Sequence, residues 1–196
     1  MNGHLILVKH SLPEIKADLP AHNWMLLEEG RLRAGRLAEK LSMYRPQVLA
    51  SSPESKAFET AEIVGRRLQL PVQVMDDLHE HDRRNVGYLS KEEFNKAVLA
   101  FFENPDRQTF GSETANQAHE RFSRAVAAVL AGNEKRSTVI VSHGTVIALF
   151  VSRVTGQSAF EIWNQLGLPG FVVLDMQSNK LIAIENILGE ATYGTH

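Results

Sequence analysis

At 196 residues, 43% of them hydrophobic and 22% charged, the chain carries enough apolar material for one domain with a sizeable core. A formal net charge of -2 gives no electrostatic reason to expect nucleic acid or an anionic membrane as partner. With no cysteine, the sequence excludes disulfides, thiolate catalysis and cysteine-bound zinc.

The first element is a strand over Leu5-Ile6-Leu7-Val8, four apolar residues without polar alternation, as in a parallel sheet buried on both faces. Lys9, His10 and Ser11 follow where that strand ends, and ligands of open α/β sheets sit outside the carboxyl ends of strands. Residues 12–24 contain Pro13 and Pro20 and no periodicity, which predicts a long loop over the site. An amphipathic helix is expected over 28–44, stopped by Pro46, and a second short strand over 47–51. Ser52-Pro53 then reads as an N-cap with proline at the first helical position, opening a helix to about Leu68. A third strand over 72–75 leads into an irregular segment, 76–89.

Ser90 to Glu93 form a capping box for a helix reaching Phe102. Ser112 is the expected cap of a long helix through Ala118, Phe122 and Val129, ending at Gly132. Thr138 to Val141 repeat the pattern of the first strand and are followed by Ser142, His143, Gly144 and Thr145. A helix from Thr145 to Thr155 stops at Gly156, and Ser158 to Glu161 form another capping box. Two strands, 171–176 and 181–187, join at Ser178-Asn179, and a frayed tail is expected from Gly189. Strands alternating with helices predict an α/β three-layer sandwich: a mostly parallel central sheet with helices on both faces. The chain reads as a single domain, 1–196, with 88–132 as a small helical cap region beside the site. No basic leader precedes the first apolar run, and no run approaches membrane-span length, so a soluble, cytoplasmic protein is the expectation. A homodimer is left open.

Two buried strands that each end in a histidine can deliver both imidazoles, His10 and His143, to one edge of the sheet. Lys56, one turn into the helix after the second strand, and Glu80, after the third, belong to the same edge. His79 and His81 flank Glu80 as His-x-His but are not assigned to a metal, and Trp24 and Trp163 read as packing anchors.

Together these segments resemble the histidine phosphatase superfamily, the phosphoglycerate-mutase-like phosphatases. Val8-Lys9-His10-Ser11 is similar to the family's Arg-His-Gly motif. The stretch from Ser51 to Ala61 is similar to its Ser-Ser-Pro…Arg-Ala…Thr-Ala helix start. Leu78-His79-Glu80 is similar to its Leu-x-Glu segment, and Val141-Ser142-His143-Gly144 to its second-histidine motif. The resemblance implies a metal-independent, cofactor-free phosphatase acting on a small phosphorylated substrate. His10 would form a phosphohistidine, and His143, Lys9 and Lys56 would hold the phosphoryl oxygens. Glu80 would serve as acid and then base. Ser11, Arg84 and Thr145 complete the expected substrate-binding set. The chain departs from the family at both motif arginines, which are Lys9 and Lys56, and at the motif glycine, which is Ser11. Lysine keeps the charge and loses the planar fork. A non-catalytic phosphate-binding or regulatory protein of the same fold is therefore the rival reading, with a phosphomutase third. Arg83 and Arg84 read either as replacement donors or as solvated loop charges. Glu113, in Gly111-Ser112-Glu113 where the family often has Gly-Glu-Ser, reads either as a site residue or as a first-turn acid.

Overall fold

The computed structural model describes residues 3–187 apart from 17 and 88, so the tail expected to fray from Gly189 lies outside the described residues. Six strands form one sheet: β1 (His4–Lys9), β2 (Val48–Ser51), β3 (Val72–Val74), β4 (Thr138–Ser142), β5 (Gly170–Asp175) and β6 (Leu181–Asn186). Their order is β3-β2-β4-β1-β5-β6. The first four positions run parallel, and β5 is antiparallel to both β1 and β6. Among the described residues the α-helices are α1 (Glu28–Ser42), α2 (Ser55–Leu68), α3 (Lys91–Glu103), α4 (Ala115–Leu130), α5 (Gly144–Thr155) and α6 (Ala159–Gln165).

Alternation along the pleat sorts the core into two layers. Leu5, Leu7, Val48, Ala50 and Ile140 face a cluster completed by Ala118, Phe122 and Val126 of α4, Val146 and Ile147 of α5, and Phe101 of α3. Ile6, Val8, Leu49, Val139 and Val141 face the opposite way, against Leu37 and Leu41 of α1 and Ala57, Ala61 and Val64 of α2. The apolar runs of β1 and β4 are thus buried on both faces, each large side chain contributing about 1.5–3 kcal/mol by leaving water. The expected three-layer sandwich is the observed one.

Three helix boundaries differ from expectation for identifiable reasons. α1 ends at Ser42, two residues early, because Arg45 before Pro46 takes a left-handed φ of 48°. α2 starts at Ser55, its first turn closed by the Ala57 and Phe58 N–H groups on the Glu54 carbonyl, while Ser52, its expected cap, accepts the Glu54 N–H at 3.2 Å and meets His143 at 2.8 Å. α4 is capped by Thr114 in a reciprocal box with Gln117, whereas Ser112 donates its N–H and hydroxyl to the Asp82 carbonyl. The box at Ser90 forms as expected, at Ser158 only the serine half of the expected box is present, its hydroxyl accepting the Glu161 N–H at 3.3 Å, and α5 ends on Gly156 at a φ of 76°. The described residues of the 12–24 stretch are irregular apart from a one-turn 3-10 helix at Ala21–Asn23 and the Pro13–Leu26 bridge. Among the described residues no helix is long and apolar enough to cross a membrane.

Candidate active site

Parallel pairing of β1, β4, β2 and β3 puts their carboxyl ends at one edge of the sheet, and the titratable residues collect there. Lys9 closes β1 opposite Ser142 of β4, and His10 continues the pairing through its N–H to the Ser142 carbonyl at 3.0 Å. The rings of His10 and His143 meet edge to face, with centroids 5.2 Å apart. His10 Nδ1 lies 2.8 Å from the Ser11 carbonyl. A carbonyl can only accept, so Nδ1 carries the proton and Nε2 keeps its lone pair. Burial first, and then the charge of Lys56, holds this imidazole well below its ordinary 6.5. His10 is neutral at neutral pH, with the Nε2 lone pair unprotonated.

His143 is fully buried, and burial lowers it to about 4 despite the opposing pull of Glu54. Its Nε2 meets Ser52 Oγ at 2.8 Å, and its Nδ1 is buried without a hydrogen-bond partner among the described residues. The neutral tautomer with the proton on Nδ1 lets the Ser52 hydroxyl donate to Nε2 and leaves one free donor inside the site.

The two lysines stand differently. Lys9 donates to the Leu166 carbonyl at 2.8 Å and lies 5.9 Å from the centre of the Trp163 ring. Burial lowers it from 10.5 to about 8 against the attraction of Glu80. Its stem passes over the start of α5, where a Cβ on Gly144 would come within 3.2 Å of Lys9 Cε. Lys56 is buried and donates to the Ala21 carbonyl at 2.8 Å, tying the 12–24 loop to the site. Its second partner is Glu54 Oε2 at 2.6 Å. Sequence reasoning missed Glu54, although an acid two positions before a motif cation was a readable signal. Burial pushes the Glu54 carboxyl up, but His143 and Lys56 together carry it far below the usual carboxylate range. Its other oxygen accepts the Glu80 N–H at 2.9 Å and lies 3.8 Å from His143 Nε2.

Glu80 is buried, with Oε1 accepting the His81 N–H at 2.8 Å and Oε2 accepting the Thr145 N–H at 3.4 Å and hydroxyl at 3.2 Å. Burial raises this carboxyl, yet Arg83, His143 and the His81 N–H outweigh it and leave Glu80 ionised. The loop that carries it is clamped by Arg121, a residue the sequence did not single out. Arg121 donates to the carbonyls of Asp77, His79 and Glu80 at 2.7, 3.1 and 3.2 Å, and pairs with Glu113 at 2.7 Å. Glu113 also accepts the Asp82 N–H at 2.9 Å. It therefore holds the Glu80 loop, which neither sequence reading of Glu113 anticipated.

His10, His143, Glu80, Lys9, Lys56 and Thr145 are brought together, whereas the side chains of Ser11 and Arg84 bond elsewhere. The Ser11 hydroxyl donates to the Gly30 carbonyl at 2.7 Å and its N–H to Thr60 Oγ1 at 3.0 Å, so it fastens β1 to α1 and α2. The Arg84 guanidinium grips Asp82 through two bonds, at 2.9 and 2.7 Å, with its side chain 73% exposed. Its neighbour Arg83 is the one that turns inward, 3.6 Å from Glu80 Oε2. His79 donates to the Glu80 carbonyl at 2.7 Å, while His81 is buried against Phe101 at 4.0 Å. Among the described residues no three His, Cys, Asp or Glu side chains are grouped to hold a metal.

Comparison with known proteins shows the family and the fold. The sequence model of the histidine phosphatase superfamily (branch 1) matches residues 5–184. An uncharacterized phosphatase, PhoE of Bacillus subtilis, is 27% identical over 141 residues, covering 72% of this chain and 67% of its own. In fold, a mycobacterial glucosyl-3-phosphoglycerate phosphatase superposes with a TM-score of 0.74 at 22% identity, covering 93% of this chain and 97% of that one. A phosphoserine phosphatase mutant from Entamoeba histolytica in complex with phosphoserine superposes with a TM-score of 0.77 at 17% identity, covering 94% and 98%. At these identities the structural likeness speaks for the fold alone.

Proposed function

The chain belongs to the histidine phosphatase superfamily, and from that premise we propose that it hydrolyses a small phosphomonoester through a phosphohistidine on His10. The observation that carries the reading is the state of His10: Nδ1–H tied to the Ser11 carbonyl, Nε2 unprotonated, and cations gathered beside it. A neutral nucleophile needs an electrophile whose negative oxygens those cations can hold, and a phosphoryl group has that form.

His10 Nε2 attacks phosphorus as the bond to the leaving oxygen breaks. Lys9, Lys56 and the free Nδ1–H of His143 take the charge of the equatorial oxygens, so no step calls for a metal. Glu80 starts ionised. The negative charge of bound substrate raises its carboxyl, which takes up a proton and passes it to the leaving oxygen. In the second step Glu80 accepts a proton from water, the water oxygen bonds to phosphorus, the P–N bond breaks, and phosphate leaves.

The test is mixing with a labelled aryl phosphate followed by an alkaline denaturing quench. The wild type should carry a label stable to base and labile to acid, and His10→Ala should carry none and turn over nothing. Turnover without label, or label on His10→Ala, overturns the assignment. One observation favours the second reading, a phosphate-binding protein without turnover: Lys56 is already paired with Glu54 at 2.6 Å. Saturable vanadate binding with neither label nor phosphate release selects it.

A further inference from the structure

Both motif cations of this chain are lysines, and each ammonium already donates to a backbone carbonyl, Lys9 to Leu166 and Lys56 to Ala21. Neither can offer two parallel bonds to a phosphoryl group as a guanidinium does. The loop after Glu80 brings a guanidinium to this site. The central carbon of Arg83 lies 4.8 Å from the centre of the Phe94 ring and 5.9 Å from that of Phe110, so two aromatic rings flank it. Its Nη2 is 3.6 Å from Glu80 Oε2, longer than a hydrogen bond, and its Nη1 is buried without a hydrogen-bond partner among the described residues. Its charge is felt at Lys9, at Glu80 and at His143, which places it among the residues that would surround a phosphoryl group.

A buried guanidinium nitrogen with nothing to donate to is costly unless something arrives to accept from it. Glu80 already takes its hydrogen bonds from His81 and Thr145, so it does not need Arg83 to satisfy it. We propose that Arg83 is the phosphoryl-binding guanidinium of this site, donating from Nη1 to an oxygen of the substrate and standing in for the fork that Lys9 and Lys56 lack. The inference rests on the phosphatase reading and deepens it. It also gives Arg83 a second consequence: an incoming phosphoryl group draws the guanidinium's charge away from Glu80, which assists protonation of that carboxyl for the leaving oxygen.

The test compares orthovanadate affinity of the folded protein for the wild type, Arg83→Met, Arg83→Lys and Arg84→Gln. Methionine keeps the apolar contact with Phe94 and Phe110 while removing the donors. Arg83→Met should bind about 10- to 100-fold more weakly, the loss of one charge-assisted hydrogen-bonding group. Arg83→Lys should lose less, and Arg84→Gln should stay within about twofold. A merely structural Arg83 predicts a lower melting temperature with unchanged affinity, and that result overturns the proposal. If Arg83→Met does not fold, Arg83→Lys decides, since wild-type affinity in that variant denies any need for the fork. A wild type that neither binds vanadate nor releases phosphate from any phosphomonoester brings down the phosphatase reading itself, an outcome distinct from the failure of Arg83 alone.

Discussion

Glu54 and Lys56 meet at 2.6 Å at the start of α2, so the cation expected to hold phosphate already has a carboxylate on it. The same carboxylate accepts the Glu80 N–H at 2.9 Å, which fixes Glu80, the residue proposed as acid and base, through its backbone. If Lys56 faces a bound anion, Glu54 trades anion affinity for a rigid site.

That trade can be measured with Glu54→Gln, which keeps an acceptor for the Glu80 N–H and removes the charge. Lys56, buried with only the Ala21 carbonyl left, should cost the variant about 3 kcal/mol of stability in a denaturant melt. Tungstate should bind about tenfold tighter because the competing internal anion is gone. An unchanged affinity would show that Lys56 does not face the anion.

Arg121 and Glu113 are the second buried pair, and three carbonyls of the Glu80 loop depend on that guanidinium. Arg121→Met strands Glu113 and should destabilise by about 3–5 kcal/mol. Glu113→Gln in the Arg121→Met background should cost much less than the two single changes added, with a coupling of about 2 kcal/mol. Additive losses in urea melts would mean the two residues act independently.

The strands, their parallel stacking and the edge that collects the site were legible because β1 and β4 are unbroken apolar runs that each end in a histidine. His10, His143, Glu80 and Lys56 needed only chain order and the rule that parallel strands share a carboxyl edge. Glu54, Arg121 and the choice between Arg83 and Arg84 were not legible in the same way. Each depends on side-chain direction across a long sequence gap: Arg121 reaches back more than forty positions to Asp77, and Glu54 reaches forward to Glu80. Adjacent arginines on an irregular loop have no period to tell inside from outside, so Phe94 and Phe110 decide which of them is held. The direction of the Ser11 hydroxyl was not legible for a similar reason. Standing beside a nucleophile, its hydroxyl still found the Gly30 carbonyl of α1.

His143 makes acid stability a test of the site's burial. Its folded value of about 4 lies below the ordinary 6.5, so the unfolded chain binds the extra proton between those two values. Stability from this residue is complete above pH 6.5 and is lost as pH falls toward 4, by roughly 3 kcal/mol over the whole window. His143→Gln, which cannot titrate, should show a flatter stability curve across that range. Parallel curves for the two proteins would place the acid sensitivity elsewhere.

Lys9 gives the alkaline counterpart, read through binding. Burial sets its ammonium at about 8, so the empty site loses that charge as pH rises through about 8, before an exposed lysine would titrate. A bound dianion favours the charged form and raises the value in the complex. Proton uptake then accompanies binding between the two values, and affinity should fall by as much as about tenfold for each pH unit in that window. Tungstate suits the measurement because it stays dianionic throughout. Lys9→Arg keeps its charge across the range and should flatten the curve. The longer head must still fit over Gly144, where Lys9 Cε already passes within 3.2 Å of a would-be Cβ, so circular dichroism should accompany each titration to show the variant remains folded. A wild-type affinity that does not change between pH 7.5 and about 10 would mean that Lys9 donates to the Leu166 carbonyl alone and contributes nothing to the anion.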